Sequence, residues 1–188
     1  MHAGLVGKNL IEKLCHIPVT VDIASEFRYR DPIIDEKTLC IYVSQSGETA
    51  DTIAALKLSK TKGAKTLAIS NVIGSSITRE ADYTIYTHAG PEIAVASTKA
   101  YTSQVVLLAI LAIYFAEVLG TTDSKVLEKL KADILDLPSK IDTILDNTEE
   151  IKEFAKKVYT QKDMFFLGRG TDYNTSLEGS LKLKEISY

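Results

Sequence analysis

The first 120 residues alternate between short apolar runs and longer stretches with apolar positions at helical spacing. The apolar runs lack regular polar alternation, which indicates strands covered on both faces. Strands are predicted over residues 19–23, 39–43, 66–69 and 83–86. Helices are predicted over residues 4–14, 49–61, 75–80 and 98–119. Strands and helices that alternate at this spacing indicate right-handed βαβ units, so the expected fold class is α/β with a parallel sheet.

A different pattern occupies residues 123–160, where apolar positions repeat at helical spacing without an intervening strand. Pro138 and the Asp-Asn-Thr cluster at 146–148 are expected to divide this segment into two or three helices. We expect these helices to form a connector packed on the first domain. A new strand is then predicted over residues 164–167, followed by a glycine-containing turn and a helix over 173–186.

A weak internal repeat relates the two ends of the chain. Residues 174–179 (NTSLEG) resemble residues 2–7 (HAGLVG). The repeat predicts that the chain begins inside its first βα unit, with the opening strand missing, and stops inside the first unit of a second, similar domain. The expected domains are a first α/β domain at 1–122, a helical connector at 123–160 and the start of a second domain at 161–188.

The motif VSQSGET at 43–49 gathers hydroxyl and amide side chains where a predicted strand passes into a helix. Ligands of open parallel sheets bind at this edge, and the unpaired N–H groups of a helix N-terminus favour an anion. We predict a phosphate site in which Ser44, Ser46 and Thr49 donate and Gly47 permits close backbone approach. No Gly-Lys-Ser/Thr loop is present, so a monophosphate on a small molecule fits better than a nucleotide. The open alternative is that Ser46 or Thr49 is an ordinary N-cap.

Other charged side chains carry weaker signals. Lys99 enters a helix at the same edge and is a candidate counter-charge, although a lysine at a helix entry is most often solvated. His88 follows a predicted strand, where a lone histidine is usually structural. A phosphate would repel Glu48, so this residue is expected to have a first-turn role in the helix that follows it, with a favourable dipole contact. Lys182 and Glu185 lie three residues apart on one helix face, and on spacing alone they indicate a surface ion pair.

Composition narrows the classes of function. The chain has 188 residues, of which 45% are hydrophobic and 25% charged, and its net charge of −3 argues against nucleic-acid binding. The longest apolar run, residues 105–116, is shorter than the roughly 18 residues of a membrane span and predicts a buried core helix. No secretion signal is found, and Cys15 and Cys40 follow no metal-binding or redox spacing. We expect a cytoplasmic protein without a nucleic-acid partner, membrane, metal or cofactor.

Four motifs, taken in order, resemble a known family. They are ASEFRYR at 24–30, SQSGETADT at 44–52, VASTKA at 95–100 and LEGSLKLKEISY at 177–188. Together they closely resemble the isomerase region of the glutamine–fructose-6-phosphate aminotransferases, and the resemblance extends over residues 4–188. It implies two sugar isomerase (SIS) domains of the flavodoxin-like type. Each would be a three-layer α/β sandwich around a five-stranded parallel sheet.

The resemblance also implies roles for individual residues. The positions that hold the sugar phosphate in the family match Ser44, Gln45, Ser46 and Thr49. The positions that contact the sugar match Val95 and Ser97. Glu185 matches the catalytic glutamate that moves a proton between C1 and C2 of the open-chain sugar, and Lys182 matches a lysine near that site. This step needs one base that takes a proton from one carbon and returns it to the next.

The implied parent enzyme converts fructose 6-phosphate and glutamine to glucosamine 6-phosphate and glutamate, a step of hexosamine biosynthesis. It would carry a glutaminase domain and form a homodimer. The family's Cys-Gly-Thr-Ser loop, ring-opening histidine and Schiff-base lysine are not in this sequence, so the chain alone is expected to be inactive. Two alternatives stay open: a non-catalytic SIS module that senses phosphosugars, and another sugar-phosphate isomerase or lyase of the SIS class.

Overall fold

The computed structural model describes residues 1–187, and a parallel sheet lies at its centre. The strands are β1 (Leu39–Ser44), β2 (Lys65–Ser70) and β3 (Tyr83–Tyr86), in the spatial order β1-β2-β3. The helices are α1 (His2–Cys15), α2 (Ala24–Tyr29), α3 (Ala50–Thr61), α4 (Ser76–Glu80), α5 (Lys99–Leu119), α6 (Ser124–Asp146), α7 (Glu149–Val158) and α8 (Thr171–Ser187). The predicted α/β fold with a parallel sheet is therefore confirmed.

The side chains of the sheet alternate between two apolar layers, as the period of two along a strand requires. On one face Leu67 and Ile69 pack with Ala3 of α1 and with Leu108 and Leu111 of α5. The buried residues on the other face come from β1, β2, α3 and α4, and they are Tyr42, Ala55, Leu56, Ala68 and Ile77. The result is a three-layer sandwich in which the carboxyl ends of all three strands lie at one edge.

The sheet has three strands in the described part of the chain, whereas the family resemblance implies five. Residues 19–23, where a strand is predicted, form an irregular segment. The Val19 N–H donates to Glu12 Oε1 at 3.0 Å and not to a neighbouring strand. Among residues 1–187, β1 pairs only with β2, so no strand stands beside 19–23 to complete its hydrogen bonds. The short helix α2 that follows is not predicted by the pattern, because six residues are too few to show a helical period.

The predicted strand at 164–167 is also absent within residues 1–187. These four residues are exposed and lie in no ladder, although their apolar character favours a strand. An apolar run becomes a strand only where a neighbouring backbone completes its hydrogen bonds. The helix predicted after it does form, as α8, and it packs against α1.

Helices α6 and α7 occupy residues 124–158, within the stretch where the pattern predicts a helical connector. The expected break at Pro138 is wrong, because α6 runs through this exposed residue and loses only one backbone hydrogen bond there. The chain divides instead at residues 147–148, as the polar cluster indicates. Leu127 packs with the buried residues of α1 and α5, but later apolar side chains of α6 and α7 are exposed: Leu135, Ile141, Ile144, Leu145, Ile151 and Phe154. In the described residues, α6 therefore packs against α1 and α5 through its N-terminal half, where Leu127, Leu130 and Ile134 lie.

Helix α5 is the central helix of the fold. By length and composition alone it qualifies as a membrane-crossing helix. In the structure, Ala112, Ile113 and Ala116 of α5 pack with Cys15 of α1, and Gly120 ends the helix in the left-handed region with φ of 64°. These contacts support the prediction of a core helix.

Candidate functional site

The loop at residues 44–49 joins β1 to α3 at the carboxyl edge of the sheet. Ser44 is buried, and its Oγ accepts a hydrogen bond from the Gly47 N–H at 2.9 Å. Ser46 Oγ accepts from the Glu48 N–H at 3.2 Å. In both bonds the hydroxyl is the acceptor, so each serine still has a proton to donate. The two hydroxyls therefore shape the backbone of the 44–49 loop and keep donor capacity for a ligand.

Thr49 is the N-cap residue of α3, but its side chain makes no capping hydrogen bond. The ordinary N-cap role left open by the sequence is thus not observed for Thr49, and Ser46 bonds to the Glu48 N–H within the loop. Thr49 and Ala50 are exposed. The first turn of a 12-residue helix therefore presents uncapped N–H groups, with the helix dipole behind them, beside a hydroxyl-rich loop. This arrangement suits an anion.

Gly47 is the residue of the 44–49 loop that lies against Ser70 and Ser75, and its φ is +70°. A Cβ atom at this position would lie 2.1 Å from Ser75 Oγ, 2.6 Å from Ser75 Cβ and 2.9 Å from Ser70 Oγ. Both serines are buried, and the Gly47 carbonyl accepts the Ile77 N–H at 3.0 Å. Glycine is required here by conformation and by space, and it fixes the 44–49 loop against the loop that follows β2.

Glu48 is directed away from the N-terminus of its own following helix. Its Oε1 accepts a hydrogen bond from the Ser76 N–H, in the first turn of α4, at 2.8 Å. Hydrogen bonds from Ser76 hold the pKa of this carboxyl below its usual range, and the charge of Arg79 adds to the effect. The predicted first-turn role in the helix that follows, α3, is therefore wrong: the carboxylate contacts the N-terminus of α4 instead and ties the 44–49 loop to that helix.

A mostly polar cavity of about 200 Å³ lies beside the 44–49 loop. It is formed by the start of α1, the residue after β1, the start of α5 and one turn of α8. Two predicted site residues, Gln45 and Ser97, line it together. The other lining residues are Met1, His2, Ala3, Ala100, Tyr101, Gln104 and Glu178. The structure thus brings one residue of the phosphate motif and one residue of the sugar-contacting motif to the same cavity.

The two predicted residues in the segment before α5, Ser97 and Val95, have different surroundings. Ser97 donates its hydroxyl to Glu92 Oε2 at 2.8 Å, and the Ala100 N–H donates to the same oxygen at 3.3 Å. The bond from Ser97 is the main reason that the pKa of Glu92 lies below its usual range. Val95 is 92% exposed, and its side chain does not line the polar cavity.

Lys182 and Glu185 form the ion pair that their spacing predicts. Lys182 Nζ lies 2.7 Å from Glu185 Oε2 and 3.5 Å from Glu178 Oε1. Desolvation opposes the charge on Lys182, but the hydrogen bond to Glu185 and the charge of Glu178 outweigh it, so the pKa of Lys182 is raised. Glu185 is at the exposed end of this pair.

Sequence reasoning missed the partner of His2. His2 Nδ1 lies 2.7 Å from Glu178 Oε2, across a separation of 176 residues. No spacing rule connects two residues so far apart. The available signal was that Glu178, Lys182 and Glu185 share one face of a helix, which marks Glu178 as part of the same charged cluster.

Apart from Gln45 and Ser97, the predicted site residues line neither the polar cavity nor a second one beside α5; they are Ser44, Ser46, Thr49, Val95, Lys182 and Glu185. Lys99 lines the other one, a wide, open and largely apolar depression of about 370 Å³ between the end of β3 and α5. His88 is exposed and contacts Tyr86 edge to face, with no charged partner recorded in residues 1–187. The candidate site is therefore the 44–49 loop with the polar cavity beside it, and Lys182 and Glu185 adjoin that cavity through Glu178.

Comparison with known proteins relates this geometry to a family. The sequence model of the SIS domain matches residues 1–114. The chain is 63% identical over 187 residues to glutamine–fructose-6-phosphate aminotransferase (isomerizing) of Clostridium tetani, and 52% identical over 188 residues to the enzyme of that name from Thermococcus kodakarensis. In both cases the whole chain is covered but only 31% of the relative.

A solved structure agrees with these matches. The C-terminal domain of glucosamine-fructose-6-phosphate aminotransferase from Francisella tularensis is similar to this chain, with a TM-score of 0.95 and 40% identity. The alignment covers 100% of this chain and 53% of that one. The matched SIS domain also includes β1 to β3, the 44–49 loop and most of α5. The chain belongs to the SIS domain family.

Proposed function

We propose that this chain is the phosphosugar-binding isomerase region of an enzyme that makes glucosamine 6-phosphate and glutamate from fructose 6-phosphate and glutamine. The observation that carries the proposal is the uncapped first turn of α3 behind the 44–49 loop. Two similar proteins named as glutamine–fructose-6-phosphate aminotransferases support the choice of substrate. The chain spans 31% of their length, so the activity belongs to a longer protein.

The phosphate is assigned to the 44–49 loop. Its oxygens accept hydrogen bonds from the hydroxyls of Ser44, Ser46 and Thr49 and from the first-turn N–H groups of α3. Gln45 connects the phosphate site to the polar cavity, because it belongs to the 44–49 loop and lines that cavity with Ser97. The sugar chain then extends from the loop toward Ser97 and the segment that carries Val95.

The isomerisation is assigned to Glu185. In ketose-to-aldose conversion a base takes a proton from C1, the C1–C2 bond gains double-bond character, and the proton returns to C2. One carboxylate serves both steps, since it is the base in the first and the acid in the second. Lys182 holds this carboxylate at 2.7 Å and is itself held near the cavity by Glu178.

The proposal includes features of the complete protein. We assign it the five-stranded sheet that the family resemblance implies; the outer edge of β1, which has no partner strand within residues 1–187, is open to a further strand. We also assign it a glutaminase domain, in agreement with the names of its relatives as glutamine–fructose-6-phosphate aminotransferases. A homodimeric state and a cytoplasmic location are assigned from the family resemblance alone.

Removal of one loop hydroxyl tests the phosphate assignment. In a calorimetric titration with fructose 6-phosphate, Ser46→Ala is expected to weaken binding roughly tenfold, the equivalent of about 1.4 kcal/mol. The reason is that one hydrogen bond to a charged oxygen is lost, together with the bond that the Ser46 hydroxyl accepts from the Glu48 N–H. Ser139→Ala, which removes the same atoms from the exposed connector, is the control and is expected to bind like the wild type. Equal affinities of the two variants would contradict the assignment.

A further inference from the structure

Four side chains connect the start of α1 to the end of α8 through direct contacts. We call them the α1–α8 network: His2, Glu178, Lys182 and Glu185. His2 Nδ1 contacts Glu178 Oε2 at 2.7 Å, Glu178 Oε1 lies 3.5 Å from Lys182 Nζ, and Lys182 Nζ contacts Glu185 Oε2 at 2.7 Å. The two oxygens of Glu178 therefore serve two different partners. His2 and Glu178 line the polar cavity, and Glu185 lies at the far end of the network.

The network is least exposed to solvent at its His2 end. The side chains of His2 and Glu178 are 17% and 13% exposed, whereas those of Lys182 and Glu185 are 25% and 32% exposed. A charge-assisted hydrogen bond is stronger where water is excluded, because the local dielectric constant is lower. The contact between His2 and Glu178 is therefore the strongest contact of the network. It also joins two helices that are far apart in sequence.

Two carboxylates compete for one ammonium group in this network. Lys182 Nζ lies 2.7 Å from Glu185 Oε2 but 3.5 Å from Glu178 Oε1, a difference of 0.8 Å. Glu178 stays at the longer distance while one of its oxygens is engaged by His2. Without that partner, Glu178 is free to turn both oxygens to Lys182 and to draw the ammonium away from Glu185. Glu185 would then lose the contact that fixes its carboxylate on the exposed face of α8.

We propose that His2 is a positioning residue for the isomerisation. It acts through Glu178 and Lys182 to hold the Glu185 carboxylate in the orientation needed for proton transfer. The inference rests on the proposed function, because it takes Glu185 as the base. It explains why a histidine on α1 faces a glutamate that is not itself assigned to the substrate. His2 contacts neither Glu185 nor the 44–49 loop in the hydrogen bonds and ion pairs recorded for residues 1–187.

The test uses the complete protein that contains this chain, and it separates kcat from KM for fructose 6-phosphate. We expect His2→Ala to lower kcat about tenfold, as a misplaced catalytic group does, and to leave KM nearly unchanged. His2→Asn is expected to restore most of the rate, because the asparagine amide can donate from near the position of Nδ1. The control is His16→Asn, an exposed C-cap residue with φ of 56°, a conformation that asparagine tolerates.

The outcomes separate this inference from the proposed function. If Glu185→Gln keeps the wild-type rate, the assignment of the base is wrong and the proposed function fails at that point. If Glu185→Gln is inactive while His2→Ala has the wild-type kcat, the role of His2 is overturned. An increase of KM with unchanged kcat also overturns it, because His2 would then act on binding. If His2→Ala does not fold, His2→Asn decides the question: a rate as low as that of Glu185→Gln overturns the inference.

Discussion

Replacement of Gly47 by alanine is expected to destabilise the protein by about 3 kcal/mol or more. The new Cβ would meet Ser75 Cβ at 2.6 Å, so rotation of the Ser75 hydroxyl cannot relieve the clash. The left-handed backbone at φ of +70° adds a conformational penalty for any residue with a side chain. Urea unfolding, followed by circular dichroism, measures the loss, and fructose 6-phosphate affinity should fall with it.

Gly74→Ala is the matched control for this prediction. Gly74 has the same φ of +70°, but nothing lies within 4 Å of its Cβ position. The variant therefore carries the backbone penalty alone, about 1 kcal/mol. The difference between the two variants measures the steric fit of the 44–49 loop against Ser70 and Ser75. Equal losses of stability would show that this fit does not hold the loop.

Glu185→Gln is expected to reduce isomerisation in the complete protein by a factor on the order of 10² to 10⁴, the usual contribution of a general acid–base group. Glutamine keeps an oxygen for Lys182 but cannot accept a proton from C1. Fructose 6-phosphate affinity should change little, because the phosphate is assigned to the 44–49 loop. Steady-state rates of glucosamine 6-phosphate formation and a binding titration check the two halves of the prediction.

The control for Glu185→Gln is Glu153→Gln. Glu153 also pairs with a lysine three residues away, at 2.6 Å, but on the exposed helix α7. The substitution changes the same charge in a similar ion pair, so it should leave the rate unchanged. A fully active Glu185→Gln variant, or an equally inactive Glu153→Gln variant, would contradict the assignment of the base.

The sequence was sufficient for the features that depend on local pattern. The three covered strands and their helices follow from apolar periodicity, and the loop at 44–49 stands out because it offers more hydroxyls than a turn needs. Local pattern was misleading where a partner decides the outcome. Residues 19–23 and 164–167 are suited to strands, but neither has a neighbouring strand in the described chain. Pro138 is tolerated because the hydrogen bond it removes lies on an exposed stretch of α6.

In the candidate site, too, some features follow from local sequence pattern and others depend on packing. The donors near α3 and the ion pair of Lys182 with Glu185 follow from spacing along the chain, and both features are present in the structure. The contact between His2 and Glu178 depends on the packing of α1 against α8, which no local pattern encodes. The family resemblance assigned Gln45 and Ser97, and packing brings them to one cavity.

The central claim is that the sugar phosphate binds at the N-terminus of α3. An amide NMR titration of ¹⁵N-labelled protein with fructose 6-phosphate tests it most directly. We predict that the largest shifts occur at the N–H groups of Ser46 and of residues 49–52, because these groups lie nearest the assigned anion. Glucose, which lacks the phosphate, should leave the NMR signals of these N–H groups unshifted. The largest shifts at Lys99, Thr102 and Ser103, around the other cavity, or no shifts at residues 46–52 would contradict the claim.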